Sequence, residues 1–285
     1  MLVTMVLVMI LLNTSKNSGG GIRFFVMPRE QRPEAIIPSF RVSNVIKKGL
    51  DISESDYFVI LSGDDYFEDS KMLERAIKFL DENQDYSAYV HSMRFVSEDG
   101  KEIERRSLNW KRNVLYWSGD YLHISCFVFR RMSSNELLNR MCDDTGLEYV
   151  LATKGKWKSD SHIAFSYRQR NRSIMHKADS LELSLLELLL LQDILNYRKQ
   201  NAPITWSTLA RYYSPVRTVN NNRGSIIDVR YGKYIKAFSE QENNILKLIT
   251  SGKFGLRIIY MKFWWLCFAV IRKIFKHTGH RLMHK

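Results

Sequence analysis

Cysteine is scarce in this chain, and what there is lies scattered. Cys126, Cys142 and Cys267 stand far apart with no metal-ligand spacing. That excludes a disulfide framework and a zinc module, and the odd, sparse count fits a reducing compartment. Proline is nearly as rare, at five residues. With no low-complexity tract and no internal repeat, the chain reads as folded almost throughout. Long apolar runs are absent too. Met1 to Leu12 is nearly all apolar, but a spanning helix needs ~20 residues. No basic residue precedes it, and Asn13-Thr14-Ser15-Lys16-Asn17-Ser18 makes a poor cleavage region, which argues against a signal peptide. A buried strand ending at Asn13 is the expectation. Acidic residues are missing altogether after Glu242.

What is present is basic charge. Against 30 acidic residues stand 43 basic ones, a formal +13 on 285 residues. Such an excess implies an anionic partner: a membrane surface, a nucleic acid or a phosphorylated substrate. The apolar fraction of 45% is enough for a sizeable core.

The most informative stretch is Tyr57-Phe58-Val59-Ile60-Leu61-Ser62-Gly63-Asp64-Asp65. An unbroken apolar run reads as a strand buried on both faces, which suggests a parallel sheet. Ligands of α/β sheets bind outside the carboxyl ends of such strands. Two adjacent carboxylates at that end offer hard oxygen ligands to a divalent cation and, through it, to a diphosphate. Ser39 to Leu50 is expected as a helix before this strand and Met72 to Asn83 as a helix after it. Tyr86 to Val96 reads as a strand, followed by a hairpin-type turn at Glu98-Asp99-Gly100-Lys101. Leu122 to Phe129 reads as a strand and Ser134 to Met141 as a short helix. A short strand is also expected over Ile22 to Met27. The segment Arg105 to Trp117 has the composition of an ordinary surface loop with half-buried aromatics, or of one that stacks on sugar or binds phosphate, with Trp110 and Trp117 then its candidate sugar-stacking residues. A second acidic pair, Asp143-Asp144, then opens an apolar-patterned segment that runs to Gly155-Lys156. His91, His123 and His162 show no catalytic spacing and are expected to be structural.

The order of these motifs resembles the inverting glycosyltransferases of family 2, which have the GT-A fold. Gly63-Asp64-Asp65 stands where that family has Asp-x-Asp-Asp, without the first acid. Asp143-Asp144 followed by Gly155-Lys156 matches its Glu-Asp pair and later Gly-Lys, and Tyr167-Arg168-Gln169-Arg170 matches its Tyr-Arg segment. The resemblance covers roughly Met1 to Ile174. It implies an α/β fold with a mostly parallel, Rossmann-like sheet flanked by helices. It also implies inverting displacement of a sugar from a nucleotide-diphosphate sugar onto a glycan or lipid-linked acceptor. In that scheme Asp144 is the general base and Asp143 orients the acceptor. Asp65 holds Mg²⁺ or Mn²⁺, Asp64 contacts ribose or sugar, and Arg168 and Arg170 neutralise the diphosphate. The family's opening Val-Ile-Ile-Pro-Thr-Tyr-Asn-like strand has no counterpart here. The chain starts at the family's second strand, with Leu12-Asn13-Thr14-Ser15 at its Asp-Asp-Gly-Ser end, so Asn13 is left to bond the nucleotide. An alternative that follows from the missing loop is a catalytically inactive, membrane-associated interaction protein of the same fold.

The sequence divides into a glycosyltransferase-like domain over 1–175, a helical extension over 176–252 and a basic tail over 253–285. Asp179-Ser180-Leu181-Glu182 looks like a capping box opening a Leu-rich helix to about Lys199. Its leucines occupy nearly every face, so docking on the catalytic domain or a homodimer contact is expected. Asn201 to Asn222 is expected to wrap the surface, and Ile235 to Ile249 to form one helix. Phe254 to Phe275 mixes aromatic and aliphatic residues with Arg257, Lys262, Arg272, Lys273 and Lys276. This composition suits a helix lying in a membrane interface. The expected location is therefore cytoplasmic, peripheral on the inner face of the cell membrane, with an anionic membrane surface as partner and no nucleic acid.

Overall fold

The computed structural model describes residues 7–12, 37–107, 123–141, 143–169, 178–201, 212–240, 244–251, 258–267 and 270. The strand expected over Ile22 to Met27 lies outside them. The chain divides into two compact units, Met1–Tyr116 with Asp120–His176, and Trp117–Gly119 with Lys177–Lys285.

The first unit is a seven-stranded mixed sheet with helices. Its strands are β1 (Leu7–Leu12), β2 (Tyr57–Ser62), β3 (Tyr66–Phe67), β4 (Tyr86–Val96), β5 (Glu102–Arg106), β6 (Phe127–Arg130) and β7 (Lys156–Arg168). They run in the order β1-β2-β6-β4-β7-β3, with β5 also on β4. The helices are α1 (Pro38–Ile52), α2 (Met72–Glu82) and α3 (Asp144–Lys154). The expected α/β class holds. The expected mostly parallel pairing does not: among the described strands only β4 with β7 is parallel. An unbroken apolar run reports cover on both faces and says nothing about the direction of the neighbours. Tyr57 and Val59 on one face of β2 are buried, and so are Phe58 and Ile60 on the other. Yet β2 is antiparallel to both β1 and β6.

Direction survives at one remove. Because β6 opposes both β2 and β4, the strands β2, β4 and β7 all point the same way. Their carboxyl ends therefore share one rim. The α2 stripe Met72, Ala76 and Leu80 packs with Tyr57, Val59, Tyr89, Val128 and Ala164, tying this helix across the co-directional strands. Full burial of a side chain such as Met72 or Leu80 is worth roughly 1.5–3 kcal/mol. Gly155 lets β7 enter beside β4. A Cβ there would stand 2.8 Å from the Asp85 carbonyl oxygen and 3.0 Å from the Ser87 nitrogen.

Two segments are more broken than the sequence pattern suggests. The strand expected from Leu122 begins only at Phe127, because the His123 side chain accepts from the Ser125 N–H and winds Ile124–Cys126 into a 3₁₀ turn. The helix expected over Ser134 to Met141 is a single 3₁₀ turn, Ser134–Glu136, closed by Glu136 accepting from the Ser133 N–H at 2.8 Å.

His91 on β4 carries a pH prediction. It is fully buried, with Nδ1 3.8 Å from Asp160 Oδ2. Burial lowers its pKa to about 4 against the opposing pull of Asp160. A histidine depressed in the fold stabilises it above its unfolded pKa, and that contribution is lost as pH falls toward the folded value. Unfolding free energy should therefore drop by about 3 kcal/mol between pH ~7 and pH ~4 on account of this one residue. His91→Phe should flatten that limb of a urea-unfolding series; an unchanged slope would mean the ring is already charged in the fold.

The second unit is helical: α4 (Ser180–Asn201), α5 (Tyr213–Asn221), α6 (Gly232–Ser239), α7 (Ile245–Thr250) and α8 (residues 258–267). The Asp179 cap is formed, with Oδ1 accepting from the N–H groups of Leu181 and Glu182 at 3.0 and 2.8 Å. Leu181, Leu185, Leu188 to Leu191 and Ile194 are buried. Helices α5, α6 and α7 of the same unit all pack on α4. The single helix expected over Ile235 to Ile249 is two, since Asn244 caps a new start by accepting from the Lys247 N–H at 3.0 Å. The segment 201–222, expected to wrap the surface, contains α5. Among the described residues no helix is long and apolar enough to cross a membrane.

Candidate active site

The shared rim is where the two acidic pairs meet. β2 ends at Ser62, and the chain turns at once, with the Asp65 N–H donating to the Ser62 carbonyl at 3.1 Å. β3 then pairs Tyr66 and Phe67 with Ser166 and Phe165 near the end of β7. This places Asp65 against the end of β7, where its Oδ1 accepts from the Arg168 backbone N–H at 2.9 Å. Its Oδ2 lies 3.7 Å from His123 Nε2 and has no hydrogen-bond partner among the described residues. The Asp65 side chain is 1% exposed.

The second pair arrives from the other end of the sequence. Asp143 is the N-cap residue of α3 and Asp144 its first helical residue, where a carboxylate suits the helix dipole. The entry into α3 is tight. A Cβ on Gly146 would lie 1.8 Å from the Met141 carbonyl oxygen, so only glycine lets the chain pass there. Asp144 Oδ1 accepts from the Ile124 N–H at 2.8 Å. One turn, His123 to Cys126, thus faces Asp65 through its first residue and holds Asp144 through its second.

His123 was not legible as a site residue; its spacing carries no motif. The structure puts it between the acidic pairs, buried, stacked on Phe165 with ring centroids 5.1 Å apart and 4.9 Å from the Tyr167 ring. Its Nδ1 accepts from a backbone N–H at 3.3 Å. When the ring is neutral, this bond leaves the proton on Nε2, the nitrogen toward Asp65. Tyr167 is the other addition: its phenol pKa is raised by burial and then by Asp65, Asp144 and Asp64, so all three acids act on one hydroxyl. Burial also pushes the Asp65 carboxyl up to about 6, with Asp64 and Asp144 adding to the rise and His123 and the Arg168 N–H opposing it.

Asp64 is the more exposed member of its pair. The Arg168 guanidinium lies 5.6 Å from the Tyr66 ring, and its Nε is buried without a hydrogen bond among the described residues. Asn13, Trp110, Trp117 and Arg170 lie outside the described residues. Among the described residues no group of three or more His, Cys, Asp or Glu could hold a metal ion unaided. Mg²⁺ is commonly bound through one or two carboxylates plus substrate phosphates. The Oδ2 of Asp65, beside the more open Asp64, is an oxygen of the kind such an ion takes.

No protein-family model matches the chain. It is 26% identical over 157 residues to an uncharacterized protein of Mycobacterium bovis, a match covering 51% of this chain and 45% of the relative. Uncharacterized proteins of Mycobacterium tuberculosis match with the same figures. The chain spans about half the length of the curated relatives it matches. Among solved structures, residues 1–349 of Staphylococcus aureus TarS align at 13% identity and a TM-score of 0.43, over 82% of this chain and 70% of that one. The same TarS segment in complex with UDP aligns at 12% identity and a TM-score of 0.39, with the same coverage. What the rim can do is judged from the chain's own residues.

Proposed function

We propose that this rim transfers a sugar from a nucleotide-diphosphate sugar to a hydroxyl acceptor by inverting displacement. The observation that carries the reading is the meeting of Asp65 and Asp144 on the turn His123 to Cys126. A metal-assisted inverting transfer uses one or two carboxylates to hold the cation on the donor's diphosphate and a separate carboxylate to take the acceptor's proton. Asp144 is the base, positioned by the Ile124 N–H, and Asp143 beside it orients the acceptor. Asp65 would hold the donor's cation, Mg²⁺ or Mn²⁺, which when bound would supply positive charge to the leaving diphosphate, and Asp64 would contact the donor's ribose or sugar. Arg168 offers its guanidinium to the same oxygens. From the sequence, Asn13 serves the nucleotide, Arg170 the diphosphate, and Trp110 and Trp117 the acceptor. The basic, apolar end of the chain favours a lipid-linked or surface glycan precursor as acceptor, met on the inner face of the cell membrane.

Calorimetry with a panel of nucleotide sugars, with and without Mn²⁺, tests this. Metal-dependent binding that weakens in Asp64→Asn is the expected result. The affinity should be modest, since Asn13 has no carboxylate to offer the nucleotide. Absence of heat for every donor in the presence of metal would leave the chain a binding or scaffold protein.

A further inference from the structure

Basic charge is not spread evenly. Residues 177–285 contain 18 basic and 7 acidic residues, and so hold +11 of the chain's +13. Residues 1–176, with 25 basic against 23 acidic, are nearly balanced. The excess calls for an anionic partner, and the apolar side chains of the second unit say which kind. On α8, Met261 is 2% exposed and faces inward, and the Trp265 ring one turn on lies 5.8 Å from Tyr213 of α5. Helical periodicity puts Ile259, Phe263 and Leu266 on the opposite face. These three are 67%, 59% and 47% exposed, an outward stripe with exposed Lys262 at its flank, and Val270, beyond α8, is 58% exposed. The same unit has a second apolar projection. In the 3₁₀ turns after α5, Ile227 and Val229 are 85% and 94% exposed, with Arg223 and Arg230 near them in the chain.

We propose that the second unit docks on an anionic phospholipid surface, with the Ile259–Phe263–Leu266 stripe lying in the interface. The turn Ile227–Val229 is a second apolar contact, and the basic side chains meet the headgroups. A nucleic acid would satisfy the charge but offers no apolar medium for a stripe of aliphatic residues and phenylalanine. A bilayer interface offers both. The docking is independent of sugar transfer, since it uses no residue of the rim.

Flotation of the full chain with vesicles tests the proposal. Vesicles of phosphatidylcholine alone are compared with vesicles that also contain phosphatidylglycerol. Binding should require the anionic lipid and weaken with added salt. Phe263→Ser/Leu266→Ser should lower it at least ~10-fold, with the circular dichroism spectrum unchanged because both residues are exposed. Ile227→Ser/Val229→Ser, on a turn apart from the helix, should give a smaller loss and serves if the first variant is poorly folded. Flotation unaffected by both pairs of substitutions overturns the proposal, as does equal binding to neutral vesicles. Two further results overturn it: tighter binding to duplex DNA than to vesicles, or a solution dimer that the Phe263→Ser/Leu266→Ser variant abolishes.

Discussion

Asp144→Asn should lower the rate of sugar transfer by ~10²–10⁴-fold, the usual cost of losing a positioned base, while donor affinity stays near that of the parent. The substitution is nearly isosteric. The amide oxygen still accepts from the Ile124 N–H, as Asp144 Oδ1 does at 2.8 Å. The turn His123 to Cys126 therefore keeps its brace, and only basicity is removed. Asp144→Ala separates the two roles, since it loses the brace as well and should also lower the melting temperature. Full turnover in the Asn variant would reduce Asp144 to a helix-start acid that merely steadies the turn.

Asp65→Asn should stabilise the metal-free protein at neutral pH by about 3 kcal/mol. The cause is the rise of the Asp65 carboxyl to about 6 from an ordinary 3.8, driven first by burial. A carboxyl raised in the fold binds a proton more tightly there than in the unfolded chain. Its contribution is complete below the unfolded value and is lost as pH rises through the folded one. At neutral pH the parent holds a buried carboxylate whose Oδ2 has no hydrogen bond among the described residues. Asparagine still accepts from the Arg168 N–H, and the 3.7 Å gap to His123 Nε2 is too long for a hydrogen bond to be lost. Melting curves of parent and variant in chelator should diverge as pH rises from ~4 to ~8. A constant offset across that range would mean that Asp65 is ionised throughout and held by its contacts. A buried, poorly satisfied carboxylate at the end of a strand is costly to keep, and such costs cluster where chemistry is done.

Much of the local structure was legible. The β2 run into Gly63-Asp64-Asp65, helix α2 by its apolar spacing, the Asp179 cap and the helix start at Asp143-Asp144 all follow from neighbours within one or two turns. Where the sequence pattern was overruled, a short-range side-chain bond decided. His123 shortened β6, the Ser133–Glu136 box stopped a helix after one turn, and Asn244 split another. Each is a polar group competing with the backbone for its hydrogen bonds, which apolar periodicity does not register.

The sequence by itself determined which residues are apolar, where elements begin, where the carboxylates stand in the chain and how the basic charge is distributed. Strand direction, the place of His123 and the meeting of Asp65 with Asp144 were decided only by the tertiary structure. An apolar run shows that a strand is covered on its faces, but the strands that pair with it, β6 and β1, come from far away in the chain. The acidic pairs are nearly 80 residues apart, and what joins them is one turn entering β6, which no spacing rule contains. Proximity between distant segments depends on how layers pack, and packing is a property of the whole unit.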